Sequence, residues 1–292
     1  MTIKIPKKGE KAEWIRPFDV DGDTSKYNTP DIKPVINPVI NPVQPQASSL
    51  TIANINPREY IQVGMNGLNG TPVVISAYEL QGSNNKNYED AHKFVLKQGL
   101  YVPTPKIFMI HFRKVINAAK GNGTLRYADG SFVTNSEIEE MYKHLTTNYK
   151  DIFGKGYPGA WTWLNGRFVE GTGCLSLDLE TITGLNQDDT LRTDTEPLEN
   201  CLNKDIFVEP IFNRQGFPKS IHNSQTYLAG ENIKFWYPRK GSVARFYAGS
   251  DGAYLDCYWY PTNTNPSLGV FGCAEGAGSP KNSTSVNINN LE

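Results

Sequence analysis

The 292-residue chain has no run of about eighteen apolar residues, the length a helix needs to cross a bilayer, so nothing in it predicts membrane insertion. It also lacks an excess of either charge, with 29 Lys and Arg against 30 Asp and Glu. Without a net field, neither nucleic acid nor an anionic membrane is drawn from a distance. The opening stretch MTIKIPKKGEKAEW has lysines but no apolar segment behind them, and does not predict a secretory signal. Cysteine and histidine are scarce, at four each. Cys174, Cys201, Cys257 and Cys273 show no CxxC spacing, and His92, His111, His144 and His222 are scattered, so neither set forms a metal-ligand motif. The cysteines are expected as buried free thiols, with Cys257 and Cys273 the pair to watch.

Gly, Pro and Asn, by contrast, are plentiful, and with hydrophobic residues at 38% they favour a loop-rich fold over a helical bundle. Seven of the 19 prolines fall in the first fifty residues, which include the tandem repeat KPVINPVINPVQP at 33–45. Proline at every fourth position removes backbone donors and fixes φ, so residues 1–50 are expected as an extended arm. The arm is either a linker or a strip that anchors in a partner's groove through Val35, Ile36, Val39, Ile40 and Val43. Within it, DVDGDTS at 19–25 departs from a calcium loop, because Gly22 falls fourth and the twelfth position is Pro30, so solvated turn acids are expected there.

From Thr51 the pattern becomes globular, and a domain is expected over 51–278 with a polar tail at 279–292. REYIQVG and TPVVISAYEL read as strands. NYEDAHKFVLKQG reads as a helix, with Glu89 and Asp90 early, Ala91, Phe94 and Val95 apolar, and Gly99 as the stop. In VPTPKIFMIHFRKVINAAKG, Thr104 is the expected N-cap, Pro105 takes the first helical position, and Gly121 ends the helix. A third helix is expected over 137–149, with Ser136 and Glu139 as a capping box. Asn165-Gly166 in WTWLNGRFVEG predicts a hairpin turn, and CLSLDLE alternates as a half-buried strand. QDDT, with Asp188 and Asp189, reads as a polar turn rather than an acid pair.

The most informative stretch is GAYLDCYWYPTNTN at 252–265. Strict strand alternation puts Tyr254, Asp256, Tyr258 and Tyr260 on one face and Leu255, Cys257 and Trp259 on the other. Tyrosine offers large contact area with few rotors to freeze, while Ser, Asn and Asp offer adaptable hydrogen bonds, as in antibody binding loops. The face is therefore expected either to recognise a ligand or to pack under a loop or against a neighbouring subunit.

Two segments resemble one known pattern. YEDAHKFVLKQGLYVPTP at 88–105 resembles the helix, glycine and LPT step of C-type-lectin-like domains of the formylglycine-generating-enzyme type. GSVARFYAGSDGAYLDCYWYPTNTNPSLGVFGCAE at 241–275 resembles their close, with an arginine-bearing strand, a variable stretch and a final LGVFGCAE strand. The resemblance implies an α+β, C-type-lectin-like fold with two or three helices and small twisted antiparallel sheets, loop-rich, behind the extended arm. It does not extend to enzymology: KIFMIHF replaces the acidic-tryptophan-acidic step, Cys257 and Cys273 are sixteen apart, and no iron-binding histidine set is present.

Within that family, the variable proteins of diversity-generating retroelements diversify codons that yield Asn, Tyr, Asp, Ser and His. Tyr247, Ser250, Asp251, Tyr254, Asp256, Tyr258, Tyr260, Asn263 and Asn265 are all of that alphabet and are the expected ligand-binding positions. Trp161, Trp163, Trp236, Phe246, Leu255, Trp259, Leu268 and Val270 are expected as buried scaffold, and Arg245 beside them needs a carboxylate or carbonyl partner. A lectin-like recognition domain, an apolar proline-rich arm and no predicted export signal together suggest a non-enzymatic phage structural protein without a cofactor, exposed on the virion and assembled in the host cytoplasm. Its expected partners are a capsid, neck or tail protein through the arm, a host-surface glycan or protein through the tyrosine face, and further copies of itself. A decoration or fibre-base protein whose tyrosines form an assembly interface is the main alternative; an enzyme of the formylglycine or iron-dependent sulfur-chemistry type is a remote one.

Overall fold

The computed structural model describes residues 55–66, 72–147, 149–150, 156–157 and 159–275. The anchoring candidates Val35, Ile36, Val39, Ile40 and Val43, the turn acids at 19–25 and the tail at 279–292 lie outside the described residues.

The described chain is α+β. Its strands are β1 (Tyr60–Asn66), β2 (Pro72–Ser76), β3 (Tyr149–Lys150), β4 (Gly156–Tyr157), β5 (Trp161–Glu170), β6 (Leu177–Leu185), β7 (Leu191–Pro197), β8 (Ile206–Val208), β9 (Ile233–Trp236), β10 (Val243–Gly249), β11 (Gly252–Trp259) and β12 (Cys273–Glu275). Three helices, α1 (Tyr88–Lys97), α2 (Pro105–Ala119) and α3 (Asn135–Thr146), follow β2. The largest sheet has seven strands in the order β7-β6-β5-β10-β11-β9-β8, larger than the small sheets expected. Its pairs are antiparallel except β9 with β11, which run parallel. A three-stranded sheet, β1-β2-β12, brings the two ends of the described region together.

Local chemistry fixes the helix boundaries. The Asn87 side chain accepts from Asp90 N at the start of α1, and Gly99, at φ +79°, takes the left-handed backbone just past its end. Thr104 accepts from Ile107 N, and Pro105 opens α2 where a missing N–H costs nothing. The third helix starts two residues before the expected position. Thr134 and Glu137, not Ser136 and Glu139, form the capping box, because Thr134 has the extended backbone of an N-cap and Glu137 Oε2 reaches its N–H at 2.8 Å.

The expected hairpin at Asn165-Gly166 is absent, since β5 runs unbroken through both residues. Asn165 is buried, and its side chain accepts from Ile182 N at 2.7 Å and donates to Ile182 O at 2.8 Å. It thereby continues the β5–β6 ladder beyond its last backbone pair, Arg167 with Glu180. Gly166 serves packing rather than a turn: a Cβ there would lie 3.1 Å from Leu179 Cδ1 and 3.5 Å from Pro105 Cγ, so the missing side chain lets α2 close on the sheet.

Apolar residues fill one face of the seven-stranded sheet and the part of the other face that lies under α1. On one face Phe108 and Phe112 of α2 stack on Phe246, with Phe271 and Leu255 alongside. On the other, Tyr88, Ala91 and Val95 of α1 cover Trp163, Val243, Leu268 and Val270. Each fully buried large apolar side chain contributes about 1.5–3 kcal/mol. All four cysteines are free. Cys257 and Cys273 are fully buried and their thiols are pushed well up by burial, whereas the pair the fold brings together is Cys174 and Cys201, with Cys174 Sγ 3.9 Å from Cys201 O.

Candidate recognition face

Strand register builds one continuous face across β9, β11, β10 and β5. Lys234 and Trp236 stand opposite Tyr254 and Asp256, and these stand opposite Tyr247 and Arg245. Tyr247 and Arg245 in turn stand opposite Trp161 and Trp163. The rings meet edge to face or tilted, with Trp161 to Tyr247 at 5.1 Å and Tyr247 to Tyr254 at 5.6 Å between centroids. The Lys234 ammonium lies 5.4 Å from the Trp236 ring and 5.6 Å from the Phe207 ring on β8. Aromatic rings alternating with cations favour stacking and cation–π contacts.

Beneath this face lies an ion pair. Arg245 Nε and Nη2 donate to Asp256 Oδ2 at 3.1 and 2.9 Å, and the two side chains are only 9% and 11% exposed. Burial disfavours the guanidinium charge, and Asp256 opposes that effect. Above it, the Trp259 ring centroid lies 3.3 Å from Arg245 Cζ, and the Trp161 ring centroid lies 5.3 Å away.

Two expectations change here. Asp256 is not an exposed contact residue: Oδ2 is bound to Arg245 and Oδ1 accepts from Tyr258 N at 2.9 Å. Trp259 is not on the core face with Leu255 and Cys257. Between the pairs Arg245–Asp256 and Val243–Trp259, β11 advances three residues while β10 advances two, so a bulge in β11 resets the alternation and swings Trp259 over Arg245. The partner Arg245 needed is therefore its cross-strand neighbour.

Of the other positions, Ser250 and Asp251 are exposed at the turn between β10 and β11. Tyr258 and Tyr260 are 37% and 57% exposed, their ring centroids 6.2 Å apart. The Tyr258 hydroxyl pushes the Tyr260 hydroxyl above its ordinary pKa. Tyr247 and Tyr254 are half-buried, and burial, then the Asp251 carboxylate, pushes the Tyr254 hydroxyl up. Asn263 and Asn265 are half-buried in the turns after β11, where Asn265 O accepts from Asn85 N and Asn265 Oδ1 from Ser267 N. Phe246, Leu255, Trp163, Leu268 and Val270 are fully buried as expected, but Trp161, Trp236 and Trp259 are only partly so and belong to the face itself.

Comparison with known protein families, curated proteins and solved structures gives no match. The face must be read on its own chemistry.

Sequence reasoning missed Phe207, Lys234, Tyr237 and Arg239. The Arg239 guanidinium lies 4.5 Å from the Tyr237 ring centroid and 4.3 Å from that of Tyr258, extending the face past β9. The signal was present in IKFWYPR at 233–239, where Lys234 and Trp236 alternate with buried Ile233 and Phe235. Among the described residues no three His, Cys, Asp or Glu side chains are grouped to hold a metal ion, and no helix is long and apolar enough to cross a membrane.

Proposed function

We propose that this chain is a non-enzymatic binding protein of a phage particle, with a C-type-lectin-like recognition domain held to the particle by the N-terminal arm. Tyr247, Ser250, Asp251, Tyr254, Tyr258, Tyr260, Asn263 and Asn265 contact a glycan or protein of the host surface, and Asp256 positions them from below. The observation that carries this reading is the partly exposed aromatic and cationic face, open at Tyr258 and Tyr260, set on a buried, hydrogen-bonded Arg245–Asp256 pair. Rigid aromatic anchors on a fixed base lose little conformational entropy when they bind. Several copies on one particle raise a weak single contact by avidity.

The test exchanges Tyr258 and Tyr260 together for serine in the full chain and follows two quantities, incorporation into particles and attachment of those particles to host cells. Incorporation is expected to be unchanged, with attachment at least about thirtyfold lower, in keeping with aromatic hot-spot losses of 2 kcal/mol or more. Failed incorporation would instead make the face an assembly interface.

A further inference from the structure

Two cysteines flank the β6–β7 hairpin at the edge of the large sheet. Cys174 precedes β6, Cys201 follows β7, and they stand 27 positions apart in the chain. Both are half-buried and free. Cys174 Sγ donates to Cys201 O at 3.9 Å, and the two thiols share a hydrogen bond of their own.

Each cysteine is held from its own side. Thr172 N and Gly173 N donate to Asp178 Oδ1 at 2.8 and 3.1 Å, and Cys174 N donates to Leu198 O at 2.7 Å. A Cβ on Gly173 would collide with Leu198 N and Leu177 O, so this turn closes directly on the chain leaving β7. Leu175 and Ser176 both take left-handed backbone, at φ +61° and +56°, which is costly for residues with a Cβ. Cys201 is bracketed in turn: Glu199 N donates to Gln215 Oε1 at 2.8 Å and Leu202 N to Pro218 O at 3.3 Å. An anchored, left-handed turn thus keeps one thiol against the other.

The remaining thiols are worse placed. Cys257 and Cys273 are fully buried, and burial pushes both well up. Cys257 feels the Cys201 charge and is its competitor for a bond, but its enclosed sulfur is closed to a small reagent. Burial, then the charge and the hydrogen bond of Cys174, pushes the Cys201 thiol up to about 12, so Cys201 does not open an exchange. That step falls to Cys174.

We propose that Cys174 and Cys201 are a reversible dithiol–disulfide pair, oxidised by a small disulfide such as oxidised glutathione, which closes the β6–β7 hairpin covalently at its base. The Cys174 thiolate attacks one glutathione sulfur, forming a mixed disulfide and releasing one glutathione thiolate. Cys201 then gives up its proton and attacks the Cys174 sulfur, which breaks the mixed bond and releases the second glutathione. Two protein thiols are oxidised, one glutathione disulfide is reduced, and the two protein protons end on the two glutathione thiols.

The full chain, held overnight with oxidised glutathione, capped with N-ethylmaleimide and digested without reductant, should yield a cross-linked peptide pair joining Cys174 and Cys201. Cys257 and Cys273 should stay unlinked, and dithiothreitol should reverse the link. The oxidised chain should melt about 5–15 °C above the reduced one, from the loop entropy that a bridge of this span removes. In Cys201→Ser the link and the gain in melting temperature should vanish while a glutathione adduct stays on Cys174; in Cys174→Ser neither link nor adduct should form. Either variant decides the matter if the other fails to fold. No link, a link from Cys201 to Cys257, a link between two chains, or an oxidised chain no more stable than the reduced one would overturn the proposal.

Discussion

Replacing Asp256 by alanine should destabilise the protein far more than a change at an apparent surface strand would. The substitution removes both acceptor contacts to Arg245, at 3.1 and 2.9 Å, and the contact to Tyr258 N at 2.9 Å. Arg245 is 7% exposed and lies under the Trp259 ring, so water has little access to the guanidinium, whose Nη1 already lacks a partner. Breaking a buried pair from one side costs about 3–5 kcal/mol, because the remaining charge is left uncompensated. At about 2–4 °C per kcal/mol for a domain of this size, the melting temperature should fall by about 6–20 °C. Asp256→Asn keeps an acceptor for Tyr258 N but loses the charge, and should fall between the two. The double variant Arg245→Met with Asp256→Leu removes both charges and should recover most of the loss. Thermal unfolding followed by near-UV circular dichroism reports on Trp161 and Trp259 around the pair. A fall of less than about 2 °C for Asp256→Ala, or a double variant less stable than the single, would refute the assignment of Arg245 as a buried charge dependent on Asp256.

Asn165→Ala should cost about 2–4 kcal/mol in denaturant unfolding, since it leaves the N–H and C=O of Ile182 without their 2.7 and 2.8 Å partners, and hydrogen exchange at the Ile182 amide should accelerate. Acid sensitivity should trace partly to His92 and His111, which burial holds down to about 3 from an ordinary 6.5. The unfolded chain then binds protons that the folded one refuses, so stability is full above about pH 6.5 and declines as pH falls toward 3. His111→Phe, which removes two unpartnered ring nitrogens from an aromatic surround of Phe108 and Phe271, should flatten that decline in unfolding midpoints measured across the pH range.

The helices were legible because their signals are local: Thr104 before Pro105, Gly99 and Gly121 after the apolar stripes. Where two local signals competed, as with Thr134–Glu137 and Ser136–Glu139, the choice depended on which residue the incoming chain leaves extended, and the sequence pattern does not carry that. Asn165-Gly166 misled for a related reason. A turn dipeptide describes what the backbone can do, while the buried partner on β6 and the approach of Pro105 decide what it does. The tyrosine face was half legible. Alternation placed Leu255 and Cys257 in the core and Tyr254 on the outer face, but the bulge between Asp256 and Trp259 breaks the period, and only pairing with β10 reveals it. Lys234 and Trp236 join the face from an earlier strand through a parallel pairing that no short-range pattern announces.

The outer geometry of β11 comes from its bulge, from Asp256 and from Arg245 under Trp259, so exchanging the exposed Ser250 or Tyr260 should change the folding free energy little. Exposed positions of this kind usually alter stability by no more than about 0.5 kcal/mol when exchanged. Under the proposed binding role, foldability and specificity fall to different residues: exchanges among the outer side chains would then cost a ligand, while the inner set holds the strand in place.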